Sequence, residues 1–190
     1  ARWKLVEGAK SSITAQYFCW DHDALGMALL GHMFKKARNE EVQLRLMVDA
    51  TGDTVGTRGF KSHIGGKDYL QELVMTGNAE AKVYHPHWKK VIDQALAIGS
   101  TAISANNHDK ILEVDGDRGI TGGRNIGYEY FVHPDDFKGA WRDQDIYFEG
   151  KETAHALRRA FDVEYGSPWI TQKVRGDFLG NWVQRDLELL

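Results

Sequence analysis

Asn107-His108-Asp109-Lys110 places an imidazole and an ammonium two residues apart. A strand has a period of two, so His108 and Lys110 would project to one side. Ile111 and Val114 are apolar enough to hold that strand in a sheet. Asp115-Gly116-Asp117-Arg118 reads as a turn. The return strand then runs into Gly122-Gly123-Arg124-Asn125. Paired glycines let the backbone come close to whatever lies over the sheet, and Asn125 adds an amide beside them. An imidazole, an ammonium and an amide donor are the parts for binding and attacking a phosphoryl group. Lys110 and Asn125 would donate to its non-bridging oxygens, with His108 as nucleophile. His-x-Lys alone is also compatible with an ordinary hairpin that exposes both residues.

The longer pattern is far more specific. His-x-Lys, four residues, Asp, six residues and Gly-Gly-x-Asn are met by His108, Lys110, Asp115, Gly122, Gly123 and Asn125 within 18 residues. This resembles the signature of the phospholipase D superfamily. Ser12 to Phe18 followed by Trp20 resembles the first strand of bacterial members. Gly123-Arg124-Asn125-Ile126-Gly127 with Glu129-Tyr130-Phe131 resembles the cardiolipin synthase branch, and Arg142-Asp143-Gln144-Asp145-Ile146 through Gly150 resembles the strand after the motif. The likeness runs from Trp3 to Tyr165 and is greatest to the N-terminal half of bacterial cardiolipin synthase-like proteins. Many members carry Ser where this chain has Gly123, so a backbone N–H would replace that hydroxyl.

The resemblance implies that His108 attacks phosphorus and forms a phosphohistidine. Lys110 and Asn125, with Gly122 and Gly123, would hold the phosphate oxygens. Asp115 would organise the turn rather than touch substrate. An acid beyond the motif should accept from the other ring nitrogen of His108 and fix its tautomer; Asp143 takes that place by position, with Asp145 in reserve. No metal and no cofactor are implied. The substrate would be a phospholipid or another phosphodiester, by hydrolysis or phosphatidyl transfer. The family's active site needs two such motifs, the second His protonating the leaving group, and this sequence has one. The expected partner is therefore a second half in the same chain or a second copy in a homodimer, and the isolated half is expected to be inactive. The expected division is a catalytic half at 1–166 and an arm or linker at 167–190. A homodimeric phosphodiesterase or nuclease, and a non-catalytic phosphate-binding module, are the competing readings. The resemblance implies a bacterial protein and leaves its location and any membrane attachment to parts beyond these residues.

The rest of the composition fits that frame. The chain has 190 residues, 42% hydrophobic and 27% charged, with 24 basic against 27 acidic residues. That suits one globular domain with a sizeable core and excludes disorder as the main state. A net charge of −3 disfavours a generally basic nucleic-acid binder. Cys19 is the only cysteine, which excludes a disulfide framework. Ala1-Arg2-Trp3-Lys4 shows no signal-peptide pattern, and a chain that starts without Met leaves an upstream segment open. The longest apolar stretch, 24–34, is roughly half a membrane span and is broken by Gly26, Gly31 and His32.

The elements that would position the motif alternate between strands and helices. Strands are expected at 13–20, 42–48, 81–84, 110–114, 119–121 and 146–148. Helices are expected at 24–37 (capped by Asp23, with Leu25, Leu29 and Met33 inward), 68–75, 88–98 (with a core Trp88) and 153–165 (Ala156, Leu157, Ala160 and Phe161 inward). Residues 50–67 read as a Gly- and Thr-rich loop, with Asp49, Thr51 and Asp53 either lining a cleft or forming a polar strand exit. His63, His85, His87 and His133 lack zinc-site spacing and read as solvated loop residues. Gly119 to Gly123 and Gly65-Gly66-Lys67 lack the Gly-Lys-Ser/Thr of a phosphate loop. The whole argues an α/β/α sandwich, a mixed sheet flanked by helices.

Overall fold

The computed structural model describes residues 1–55, 69–96 and 106–176. Seven strands, β1 (Ser12–Tyr17), β2 (Gln43–Asp49), β3 (Ala79–Tyr84), β4 (Ile111–Val114), β5 (Arg118–Gly122), β6 (Asp145–Glu149) and β7 (Thr171–Lys173), make one sheet of order β6-β5-β4-β1-β2-β3-β7. β1, β2 and β3 are parallel, and every other pairing is antiparallel, so the sheet is mixed as expected. A parallel pair needs a crossover connection. α2 (Ala24–Asn39) supplies it between β1 and β2, and α3 (Ala50–Val55) and α4 (Tyr69–Val74) lie between β2 and β3.

Strand alternation assigns the two faces. Ile13, Ala15 and Tyr17 of β1, Leu44, Leu46 and Val48 of β2, and Leu112 and Val114 of β4 enter the larger core. Leu5 and Val6 from α1 (Arg2–Glu7), Leu30 and Met33 from α2, and Leu70 and Leu73 from α4 close it. On the opposite face Met47 and Ile111 pack under Phe161 and Tyr165 of α6 (Lys151–Tyr165). This face also takes polar side chains: Gln16 reaches Glu164 (3.0 Å), and the buried carboxylate of Glu113 is clasped by Arg158 (2.6 and 2.9 Å).

Several elements differ from expectation. α1 forms where no helix was foreseen, because Leu5 and Val6 dock on the core while Arg2 is drawn in by Asp145 (2.8 Å) and the Tyr17 hydroxyl (3.1 Å). α3 replaces the first part of the expected loop, started by Asp49, whose Oδ1 accepts from the N–H groups of Thr51 and Gly52. The rest of that loop, with Gly65-Gly66-Lys67 and His63, lies outside the described residues. Leu25 is exposed at the first turn of α2, before the helix reaches the sheet. α6 buries Ala154, Phe161 and Tyr165 rather than Ala156 and Ala160, which face outward. α5 (His87–Ala95) is turned the other way from the expected one: Trp88, Val91 and Ile92 are exposed, and Lys90 is buried. Residues 171–173 add an edge strand beside β3, so the region read as an arm begins within the sheet. No helix among the described residues is long and apolar enough to cross a membrane.

Candidate active site

The topology gathers the motif at one end of the sheet. β1 and β2 run the same way, so Phe18 and Asp49 stand at their common carboxyl ends. β4 is antiparallel to β1, with Ile111 opposite Gln16, so His108 and Lys110 enter at that end. β5 runs back beside β4 and exits there at Gly122, opposite Asp145 of β6. Ligands of open α/β sheets sit at this place.

His108 and Lys110 precede β4, outside the strand ladder, and both lie against Phe18. The imidazole stacks on the phenyl ring, with centroids 4.1 Å apart and planes 19° apart. The Lys110 ammonium lies 5.6 Å from the same ring centre and donates to the His108 carbonyl. The two side chains therefore converge, His108 exposed and Lys110 buried. Burial lowers the Lys110 pKa, while Cys19, Asp143, Asp109 and Asp49 oppose that shift. A buried, poorly hydrated amino group of this kind is well placed to donate to a phosphoryl oxygen.

Asn125 completes the group from the other side. Its Oδ1 accepts from the Cys19 N–H (3.0 Å), which fixes the amide's orientation, because a backbone N–H can only donate. Its Nδ2 donates to the Tyr130 hydroxyl (2.8 Å). Further backbone bonds between 19–21 and Ile126 zip this loop to the end of β1. Beside it opens a cleft of about 680 Å³ whose walls include Arg124, Tyr130, Trp141, Arg142 and Asp143.

The glycine pair is approached by the chain itself. Gly122 adopts φ +153°, and a Cβ there would meet the Gln144 carbonyl at 2.3 Å. A Cβ on Gly123 would lie 1.7 Å from Asp143 Oδ1. The Asp143 carboxylate thus occupies the space in which a residue with a side chain would stand. Neither carboxylate named as the His108 partner bonds to it here. Asp143 Oδ1 accepts from the Gln144 N–H (3.2 Å), and Asp145 Oδ2 is taken by Arg2 (2.8 Å) and Arg124 (3.5 Å). The His108 ring is held by Phe18 instead. Asp115 sits away from the site: it accepts from the N–H groups of Lys10, Ser11 and Ser12 and anchors the turn.

Residues not singled out in the sequence support the loop. Asn107 donates its N–H to Asp49 Oδ2 (2.8 Å) and its side-chain amide to Glu164, and its Oδ1 accepts from the Asp109 N–H (2.8 Å). Lys90 donates to Asn106 Oδ1 (2.8 Å) and to the Thr51 hydroxyl. Asp49 is buried with its oxygens taken by Asn107, Thr51 and Gly52, Thr51 is half-buried, and the Asp53 side chain is outside the described residues. Only Asn107 had a local signal, as an Asx residue beside the motif. The other contacts span long sequence separations. His85 is buried and 3.2 Å from Asp93, not solvated, because its backbone is bonded to Ile170 at the sheet edge. Among the described residues no three His, Cys, Asp or Glu side chains gather as metal ligands would.

No family model matches the chain. It is 29% identical over 167 residues, 87% of its length, to a probable cardiolipin synthase of Bacillus subtilis, and 32% identical over 156 residues, 82% of its length, to a cardiolipin synthase of Geobacillus. Its fold matches a solved phospholipase D family member, Nuc of Salmonella typhimurium, with a TM-score of 0.56 at 13% identity, covering 92% of this chain and 88% of that one. The chain is thus similar in sequence to cardiolipin synthases and in fold to a phospholipase D family member. It spans less than a third of the length of the curated relatives it matches, 29% and 27% of those two. The expected mixed sheet and flanking helices are both present.

Proposed function

We propose that this chain is one half of a phospholipase D-type catalytic centre that transfers or hydrolyses the phosphatidyl group of a phospholipid. The observation that carries the reading is the convergence of His108 and Lys110 on one ring, with Asn125 on the same sheet end. The similarity to proteins named cardiolipin synthases supports a phospholipid as substrate. Residues 1–166 would be the catalytic half, with 167–190 an arm whose first strand docks on the sheet.

In the first step a ring nitrogen of His108 bonds to phosphorus and the ester oxygen leaves with the electron pair. That oxygen takes a proton from an acid supplied by a second motif, in another half or a second copy. In the second step an acceptor alcohol, or water, attacks phosphorus, gives its proton to the group of the second motif that was deprotonated in the first step, and breaks the N–P bond, whose electron pair returns to the His108 ring. Lys110 and Asn125 would stabilise the phosphoryl oxygens throughout, whereas the Gly123 N–H, expected to take part, donates to the Gln144 carbonyl (2.9 Å). Asp143 would orient the imidazole once phosphate draws the groups together, since such bonds are commonly long before substrate binds.

Short-chain phospholipid labelled at phosphorus, mixed with the full-length protein and quenched in base, tests this. The expected product is a label on protein that survives alkali, is lost in mild acid, and is absent from the His108→Ala variant. Turnover with no such label, or a label that persists in His108→Ala, refutes the assignment.

A further inference from the structure

We infer that Glu164 and Asp49, which lie outside the motif, are positioning residues that aim His108 through Asn107. The inference rests on the reading of His108 as the nucleophile. The His108 side chain makes no hydrogen bond among the described residues; its ring has only the stack on Phe18. Its direction is therefore set by the backbone on either side and by the ring beneath it.

Two carboxylates set the backbone, and one of them, Asp49, also bears on the seat of the ring. Asp49 Oδ2 holds the Asn107 N–H, and Glu164 Oε2 holds the Asn107 side-chain amide together with Gln16 Nε2. With its amide nitrogen committed to Glu164, Asn107 turns Oδ1 back onto the Asp109 N–H, closing an Asx turn around His108. Each carboxylate thus bears on one end of Asn107, and the turn passes the constraint across residue 108. Asp49 Oδ1 meanwhile caps α3 at Thr51 and Gly52, and Gly52 packs on the Phe18 carbonyl so closely that a Cβ would lie 1.7 Å from it. Asp49 therefore fixes the residue before the nucleophile and the seat of the ring under it. Asp49 and Asn107 are buried and Glu164 half-buried, so these bonds form largely away from competing water. Lys90 secures Asn106, one residue further back, and Thr51.

A misplacement of about 1 Å at a reacting group can cost roughly 10²-fold in rate. Glu164→Ala in the full-length protein is expected to lower kcat about 10- to 100-fold and to leave KM for short-chain phospholipid nearly unchanged. Glu164→Gln keeps an acceptor oxygen for both amides and is expected to restore kcat. Asn107→Ala removes the same link without touching α6 and is expected to match Glu164→Ala. An activity-independent readout is the ring-current shift that Phe18 imposes on the His108 ring protons, followed in protein carrying ¹³C-histidine and assigned by its absence in His108→Ala. That shift should collapse in Glu164→Ala and Asn107→Ala and persist in Glu164→Gln. Wild-type His108 resonances in both disrupting variants, or displaced resonances with wild-type kcat, overturn the inference. Displaced resonances in a protein whose wild type never turns over phospholipid uphold the positioning and refute the nucleophile instead.

Discussion

Replacing Asp115 by alanine removes the acceptor that ties the β4–β5 turn to the entrance of β1. Its Oδ1 accepts from the N–H groups of Ser11 (2.7 Å) and Ser12 (3.0 Å) and from the Ser11 hydroxyl (2.9 Å). Its Oδ2 accepts from the Lys10 N–H (3.0 Å) and from Arg118 (3.1 Å). The side chain is only 11% exposed, so these bonds are partly shielded. A hydrogen bond to a charged group contributes ~1.5–3 kcal/mol, and a surface ion pair ~0–1. Bonds that share one carboxylate do not add, and the freed loop N–H groups can be rehydrated. Asp115 also holds φ +57°, which costs alanine a further ~1–2 kcal/mol. Asp115→Ala should therefore lose about 3–4 kcal/mol. Asp115→Asn, which tolerates that backbone and keeps one acceptor oxygen, should lose ~1–2.

Urea unfolding followed by tryptophan fluorescence measures both variants, at pH 7 and at pH 3. Burial pushes the Asp115 carboxyl up, but the hydrogen bonds from Ser12, Ser11 and Lys10 outweigh it and hold the pKa below the ordinary range. A depressed carboxyl contributes stability above its unfolded pKa of ~3.9 and loses it as pH falls through the folded value. The gap between wild type and Asp115→Asn should therefore narrow on acidification. A loss under ~0.5 kcal/mol for Asp115→Ala, or a gap that widens at pH 3, would refute the reasoning.

Gly123→Ser should drive the Asp143 carboxylate off its seat, because the new Cβ would lie 1.7 Å from Oδ1. Turnover should fall as Asp143 is displaced from its place beside the glycine pair; equal activity of Gly123→Ser and wild type counts against this packing. Arg158→Ala leaves Glu113, fully buried, without its guanidinium, and should destabilise by ~3–5 kcal/mol in thermal or urea unfolding, whereas Arg158→Ala combined with Glu113→Leu should recover most of that loss. A single-variant loss below ~1 kcal/mol shows that the pair is not acting as a buried one.

What the amino-acid sequence by itself determined is short-range. Strand alternation marked Val42 to Val48 and its neighbours, Asp23 marked the start of α2, and the Asp115-Gly116 turn marked the β4–β5 hairpin. The motif is legible for the same reason: His108, Lys110 and Asn125 are brought to one sheet end by a hairpin whose far turn Asp115 anchors and whose pairing follows from local backbone preferences. The tertiary structure alone decided which side α5 and α6 bury, because both helices offer more than one plausible face. Lys90 turns inward on α5 because Thr51 and Asn106 await it there. The Gly122-Gly123 pair reads as room for a ligand, yet Asp143 and Gln144 fill it, an approach made when β6 returns beside β5. The supports of His108 were the least visible. Asp49 and Glu164 act on Asn107 from 58 and 57 positions away, and no periodicity or spacing encodes a bond between side chains that only the sheet order brings within reach.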